Sequence, residues 1–385
     1  MNNFSFQNST QIHFGEGQIK ALTKAIPSSA KILVTYGGGS IKKNGVYEQV
    51  SAALSGHTWF EFSGIEPNPK YDTLMKAQEI IAEHSIDYLL AVGGGSVVDG
   101  TKFIAAAALY EGDDPWDFVT KGKAIKKALP MACVLTLPAT GSESNTGAVV
   151  TREGNKLPFS SPLVRPLFAV LDPAVTLSLS ERQISNGVVD AFVHTMEQYL
   201  TYSVNAKVQD RFAEGLLLTL IEEGPKALAA ETCQDIDVRG NVMWAATMAL
   251  NGLIGAGVPQ DWSTHMIGHE LTGAYGIDHA RTLSIVLPAV MKVCAATKRD
   301  KLLQYATRVW NLTEGDETTR INRAIELTEQ FFEQMKVPTR LAHVDLEEAD
   351  IDGLIEKLIQ HGMVKLGEHG SITPEVSKEI LVKAL

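Results

Sequence analysis

The rhythm of apolar and polar positions changes near the middle of the chain. In the first half, short apolar runs alternate with segments of helical period. KILVTY (31–36), TWFEF (58–62), YLLAV (88–92), MACVLTLP (131–138) and PLFAVLD (166–172) read as strands. VYEQVSAAL (46–54) and YDTLMKAQEIIAEH (71–84) read as helices, with PNP (67–69) as a turn. Such alternation predicts a mostly parallel sheet with helices on both faces. After about residue 180 the strand signal fades. ERQISNGVVDAFVHTMEQYL, QDRFAEGLLLTLIEEGPKAL, VRGNVMWAATMALNGLI and DKLLQYATRVW all carry helical spacing. The expected organisation is α/β plus all-α: a parallel-sheet domain over 1–178 and a helical domain over 179–385, divided after the LDPAVT turn. The last forty residues are charged and amphipathic, and short helices on the outside are expected there.

Two strands end in the same way. YGGGS (36–40) and VGGGS (92–96) each follow an apolar run. Glycines at a strand end allow close backbone approach, and the N–H groups of a following helix favour a phosphate. Neither stretch has the GxGxxG spacing of the dinucleotide fingerprint. A tight strand-to-helix turn explains one such stretch alone; two at equivalent places in one sheet favour a nucleotide. The candidate contacts at the first turn are Gly37, Gly38, Gly39 and Ser40. No Asp or Glu lies in TYGGGSIKK, whereas NAD sites place an acid on the ribose 2′-hydroxyl, so NADP(H) is expected. Lys42 and Lys43 fit either a 2′-phosphate or a solvated helix start.

A second group carries metal chemistry. DAFVH (190–194) puts Asp190 and His194 four apart, on one helical face. HMIGHELTGAYGIDH (265–279) holds His265, His269 and His279. A carboxylate with imidazoles suits zinc, iron or manganese. Spacing alone nominates His265 with His269. His265 and His279 on one straight helix would stand about 21 Å apart, but Gly273 and Gly276 can end the helix and turn the chain back. Both pairings therefore remain open on geometry.

Composition removes several alternatives. The chain has 385 residues, 45% of them hydrophobic, and a formal charge of -11. That charge argues against nucleic acid as a partner. Three cysteines without a CxxC pair exclude a disulfide framework and a thiolate zinc site. Neither a signal peptide nor an apolar stretch of about 18 residues is evident, so no membrane role and a cytoplasmic location are expected.

GGGSVVDGTK (93–102), TLPATGSES (136–144), LDPAVTLSL (171–179), NGVVDAFVHTMEQYL (186–200) and HMIGHELTGAYGIDHA (265–280) resemble, in order, the motifs of the iron-containing (group III) alcohol dehydrogenases. The likeness is greatest to the bacterial branch of NADPH-dependent aldehyde reductases and butanol dehydrogenases. It implies a Rossmann-like N-terminal domain, a helical C-terminal domain and a cleft between them. It implies metal ligation by Asp190, His194, His265 and His279, with His269 near the nicotinamide as a candidate proton relay. It also implies cofactor contacts at Asn68, Gly94, Gly95, Ser96, Asp99, Thr136, Thr140, Ser142, Val149 and Lys156. The implied activity is reversible, metal-assisted reduction of a broad range of aldehydes to primary alcohols with NADP(H), in a homodimer. The ion is iron or zinc, with manganese also compatible. Many relatives carry an Asp at the end of the first strand; this chain has Gly-Gly-Gly-Ser there. Ala280 follows the last histidine where glycine is more usual. The rival readings are a polyol dehydrogenase of the same superfamily and a non-catalytic nucleotide- or metal-binding protein.

Overall fold

The computed structural model describes residues 1–385. Its strands are β1 (Gln11–Phe14), β2 (Lys31–Thr35), β3 (Thr58–Phe62), β4 (Tyr88–Gly94), β5 (Met131–Leu137), β6 (Gly147–Arg152), β7 (Asn155–Ser160) and β8 (Phe168–Leu171). Among them run helices α1 (Leu22–Ala25), α2 (Val46–Ala53), α3 (Tyr71–Met75), α4 (Ala77–His84), α5 (Gly95–Ala107) and α6 (Asp117–Thr120). Helices then follow without strands: α7 (Glu181–Tyr199), α8 (Lys207–Leu228), α9 (Ile236–Ala249), α10 (Ser263–Tyr275), α11 (His279–Val293), α12 (Arg299–Arg308), α13 (Glu317–Gln334), α14 (Ile351–Gln360) and α15 (Pro374–Lys383). None is long and apolar enough to cross a membrane.

Two compact units result. One comprises Gln7–Leu179 with Gln234–Thr247; the other comprises Met1–Phe6, Ser180–Cys233 and Met248–Leu385. Two segments thus depart from a simple division at 178/179. α9 belongs largely with the sheet, because Met243 is fully buried in the sheet's core and Thr247 donates to Glu143 at 2.6 Å. The N-terminus belongs with the helices, where Asn2 N–H donates to Gly257 O at 2.9 Å.

The sheet runs β1-β8-β5-β4-β2-β3, all parallel. Burial on both faces explains the continuous apolar runs. Alternate residues divide between two cores: Leu33, Leu89, Ala91, Cys133 and Ala169 face one, and Ile32, Leu90, Val92, Val134 and Val170 the other. β2 is followed by β3 on one side and β4 by β5 on the other, so the order reverses between β2 and β4. A crevice at such a reversal, beyond the strand C-termini, is where open α/β sheets bind ligands. Both glycine stretches lie there. β6 and β7 form a separate antiparallel hairpin.

The C-terminal end carries the short amphipathic helices expected there, α14 and α15, each with a buried apolar stripe and a largely exposed polar face. Ile351, Leu354, Leu358, Ile380 and Leu381 are buried in one cluster with Ile267 and Leu271 of α10. Their apolar faces brace the helix that carries two of the candidate histidines.

Candidate functional site

α7 starts sharply. Ser180 and Gln183 form a reciprocal capping box at its first turn. Asp190 and His194 follow on one buried face. α10 begins after Trp262, which takes a left-handed backbone at φ 64°, and ends at Gly276, also left-handed at φ 69°. His279 opens α11. The carboxylate of Asp278 accepts from Arg182 Nε at 2.6 Å and Asn186 Nδ2 at 2.8 Å, and so ties that turn to α7.

These elements bring four side chains together. Asp190 Oδ1 lies 3.7 Å from His194 Nε2, 3.9 Å from His265 Nε2 and 3.7 Å from His279 Nε2. Those separations exceed hydrogen-bond range. Asp190 Oδ1 is buried and has no hydrogen-bond partner. A buried carboxylate oxygen left so is costly, and a cation among the imidazoles removes the cost. Ligand atoms each about 2 Å from one ion stand roughly 3–3.5 Å apart, so a small contraction closes the set. The ligand atoms of Asp190, His265 and His279 all lie within 4.8 Å of one another. The rings of His194 and His265 stack with centroids 4.6 Å apart. His269 is buried beside them, its ring centroid 6.2 Å from that of His265 and 5.0 Å from that of His279.

Glu197 was missed in the motif reading. It accepts Thr264 N–H at 2.6 Å and is hydrogen-bonded to His265 Nδ1. Burial, aided by the charge of Asp261, pushes its carboxyl well above the ordinary range. Its signal was positional: residue 197 is three after His194 and seven after Asp190, on the same face of α7.

In the sheet unit, Gly37, Gly38 and Gly39 follow β2, and Gly39 is left-handed at φ 86°. A Cβ at Gly38 or Gly39 would meet nothing within 4 Å, so that turn is open. The second stretch is not a loop: Gly94 ends β4 and Gly95 starts α5. Here glycine is required by packing, since a Cβ on Gly95 would stand 2.5 Å from the Thr140 side chain. The first turn of α5, including Ser96, has no side-chain cap, which leaves its N–H groups for an anion.

The remaining candidates gather around α5. Asp99 accepts from Ser142 Oγ at 2.5 Å and from Val149 N–H at 2.9 Å. Burial raises the Asp99 carboxyl, while Lys102, Ser142, Val149 and Lys156 act against it. Thr140 Oγ1 accepts from Ser142 N–H. Thr136 lies near the end of β5. Val149 is on β6, and Lys156 on β7 pairs with Thr151. Asn68 is left-handed at φ 55°, in a loop joined to β6 by Thr151 N–H donating to Pro69 O at 2.8 Å.

One finding revises the first turn. The stretch 36–43 has no acid, but Glu61 on β3 reaches it. Glu61 accepts from Tyr36 Oη at 2.5 Å, Lys42 Nζ at 2.8 Å and Tyr47 Oη at 2.5 Å. Burial alone would raise its carboxyl; those three partners hold it below the ordinary value. Lys42 is thereby paired, and Lys43 remains exposed.

Comparison with known proteins follows the same lines. Residues 9–173 match the model described as iron-containing alcohol dehydrogenase, and residues 184–385 match that of the C-terminal part of the same family. The chain is 60% identical over 384 residues to the NADPH-dependent aldehyde reductase YqhD of Escherichia coli, covering 99% of each. It is 38% identical over 392 residues to the probable NADH-dependent butanol dehydrogenase 1 of Bacillus subtilis, covering all of both. Its fold superposes on a crystal structure of E. coli YqhD with a TM-score of 0.98, at 59% identity, over 100% of this chain and 99% of that one. For NADH-dependent butanol dehydrogenase A of Thermotoga maritima the TM-score is 0.95, at 36% identity, over 100% of this chain and 99% of that one. The chain belongs to the iron-containing alcohol dehydrogenase family.

Proposed function

We propose that this protein is an NADPH-dependent aldehyde reductase, converting small aldehydes reversibly to primary alcohols across a broad range. One divalent ion is held by Asp190, His194, His265 and His279. The observation that carries the metal assignment is the buried Asp190 Oδ1, without a hydrogen-bond partner, facing three imidazole Nε2 atoms at 3.7–3.9 Å. Iron, zinc and manganese all suit this donor set. When bound, the ion supplies Lewis acidity toward the substrate oxygen, and NADPH supplies the hydride.

The chain's own residues bind and orient. Gly37–Ser40, Asn68, Gly94–Ser96, Asp99, Thr136, Thr140, Ser142, Val149 and Lys156 are assigned to the dinucleotide. The α5 N-terminus supplies N–H groups for its phosphates. Preference for NADPH follows from a first turn without an acid of its own, beside a carboxylate, Glu61, that is already taken by Tyr36, Lys42 and Tyr47. Ser40 and exposed Lys43 are left for a 2′-phosphate. We assign proton transfer to His269, whose ring neighbours that of His279. A homodimer in the cytoplasm completes the reading.

Oxidation of NADPH and, separately, NADH with butanal tests it, with metal content recorded alongside. The expected result is rapid NADPH turnover, little with NADH, and loss of activity on chelation. Equal use of NADH would overturn the account of the first turn and favour a polyol dehydrogenase.

Gly95→Ala tests the second stretch. The new Cβ forces the Thr140 side chain away, at a cost of roughly 1–3 kcal/mol for overpacking. NADPH affinity, read by fluorescence titration, is expected to fall about tenfold or more, with far-ultraviolet circular dichroism unchanged. Unaltered affinity would remove this turn from the cofactor site.

A further inference from the structure

His265 uses both ring nitrogens. Nε2 faces Asp190 Oδ1 at 3.9 Å, and Nδ1 is hydrogen-bonded to Glu197. Glu197 is 2% exposed. Its other oxygen accepts Thr264 N–H at 2.6 Å, and its backbone carbonyl accepts Asp261 N–H at 2.9 Å. Thr264 and His265 belong to the first turn of α10, where the N-cap residue Trp262 offers no side-chain bond. One carboxylate from α7 thus satisfies an orphan donor of α10 and grips the ring one residue later.

A neutral imidazole carries one proton. If Nδ1 holds it, Nε2 presents a lone pair; if Nε2 holds it, the ring cannot ligate there. With Oε1 accepting Thr264 N–H, Oε2 as the acceptor toward Nδ1–H selects the first tautomer and fixes the plane of the ring. We propose that Glu197 is a positioning residue for the metal centre: through His265 Nδ1 it sets the tautomer and aim of His265, and through Thr264 it fixes the turn that carries the ring. This rests on the metal reading above.

Glutamine at 197 separates this role from simple capping. Thr264 N–H and His265 Nδ1–H both need an acceptor, and an amide has one oxygen. If that oxygen turns to Thr264, the NH₂ group faces His265 and favours the wrong tautomer. The experiment uses Co(II) as probe on the full chain, with its dissociation constant from chelator competition and its visible ligand-field spectrum. For Glu197→Gln we expect roughly 10- to 100-fold weaker binding, the range seen when an outer partner of a metal-bound histidine is lost, with displaced bands. Unchanged affinity and bands in folded Glu197→Gln would overturn the proposal, even if the variant melted lower, and leave Glu197 a helix cap. If that variant does not fold, Glu197→Asp replaces it, with the charge on a shorter arm: weaker binding with displaced bands supports the proposal, and wild-type values overturn it. Failure of the wild type to bind Co(II) would instead overturn the metal reading itself, and this inference with it.

Discussion

Replacing His265 by alanine is expected to abolish both metal retention and aldehyde reduction. The substitution removes one of three nitrogens aimed at Asp190 Oδ1 and leaves Glu197 without its partner on that side. The remaining donors are Asp190, His194 and His279. A Lewis acid contributes several kcal/mol of charge stabilisation, and about 1.4 kcal/mol is a factor of ten in rate. A fall in kcat/KM of roughly a thousandfold or more therefore follows. Elemental analysis after gel filtration should find less than stoichiometric metal. His269→Ala is the contrasting variant. Its ring lies beside those of His265 and His279 and is assigned to proton transfer, so metal content should hold while kcat falls by up to about a hundredfold, the scale of general acid catalysis. Stoichiometric metal with normal turnover in His265→Ala would sink the ligand assignment. Loss of metal in His269→Ala, with retention in His279→Ala, would restore the pair four residues apart.

The sheet was legible because a buried parallel strand is a continuous apolar run, and β2, β4, β5 and β8 are such runs. β1 escaped notice: it is four residues, QIHF, with polar positions and no buried residue. The β6–β7 hairpin went unread, although Glu153 and Gly154, both at positive φ, form the two-residue turn that a hairpin favours. Helical period identified α9 but could not say what it packs on; that depends on Met243 meeting the sheet's core. The candidate site shows the same limit. Spacing along one helix joins residues three and four apart, so Asp190 and His194 were evident, and His265 with His269 was an equally good pair. Only the direction of the chain after Gly276 decides which histidine returns to the carboxylate. Glu61 lay outside any local motif, on a strand distant in sequence from the turn it serves, and no period could have connected them.

Lys298→Met is expected to be among the most destabilising single substitutions in the helical unit. Lys298 is 4% exposed, and its ammonium reaches Asp261 Oδ2 at 2.6 Å, Glu368 Oε2 at 2.8 Å and Leu200 O at 2.7 Å. All three donor directions are used. Burial alone would lower this ammonium; Asp261 and Glu368 overcome that and raise it above its ordinary value. The sign follows. The contribution is complete below the unfolded value near 10.5 and is lost only as pH rises through the higher folded value. Methionine fills the space but leaves two buried carboxylates without a cation, a loss of roughly 3–5 kcal/mol. Against a total stability of about 5–15 kcal/mol, the melting temperature should drop by on the order of ten degrees. The damage also reaches the candidate metal centre, because Asp261 accepts Ser263 N–H at 2.9 Å at the start of α10, one turn from His265. Differential scanning calorimetry at neutral pH reads the loss. Adding Asp261→Asn and Glu368→Gln to Lys298→Met should recover much of it, since neutral amides need no counter-charge. A Lys298→Met protein that melts with the wild type would mean that water already screens this trio, contrary to its burial.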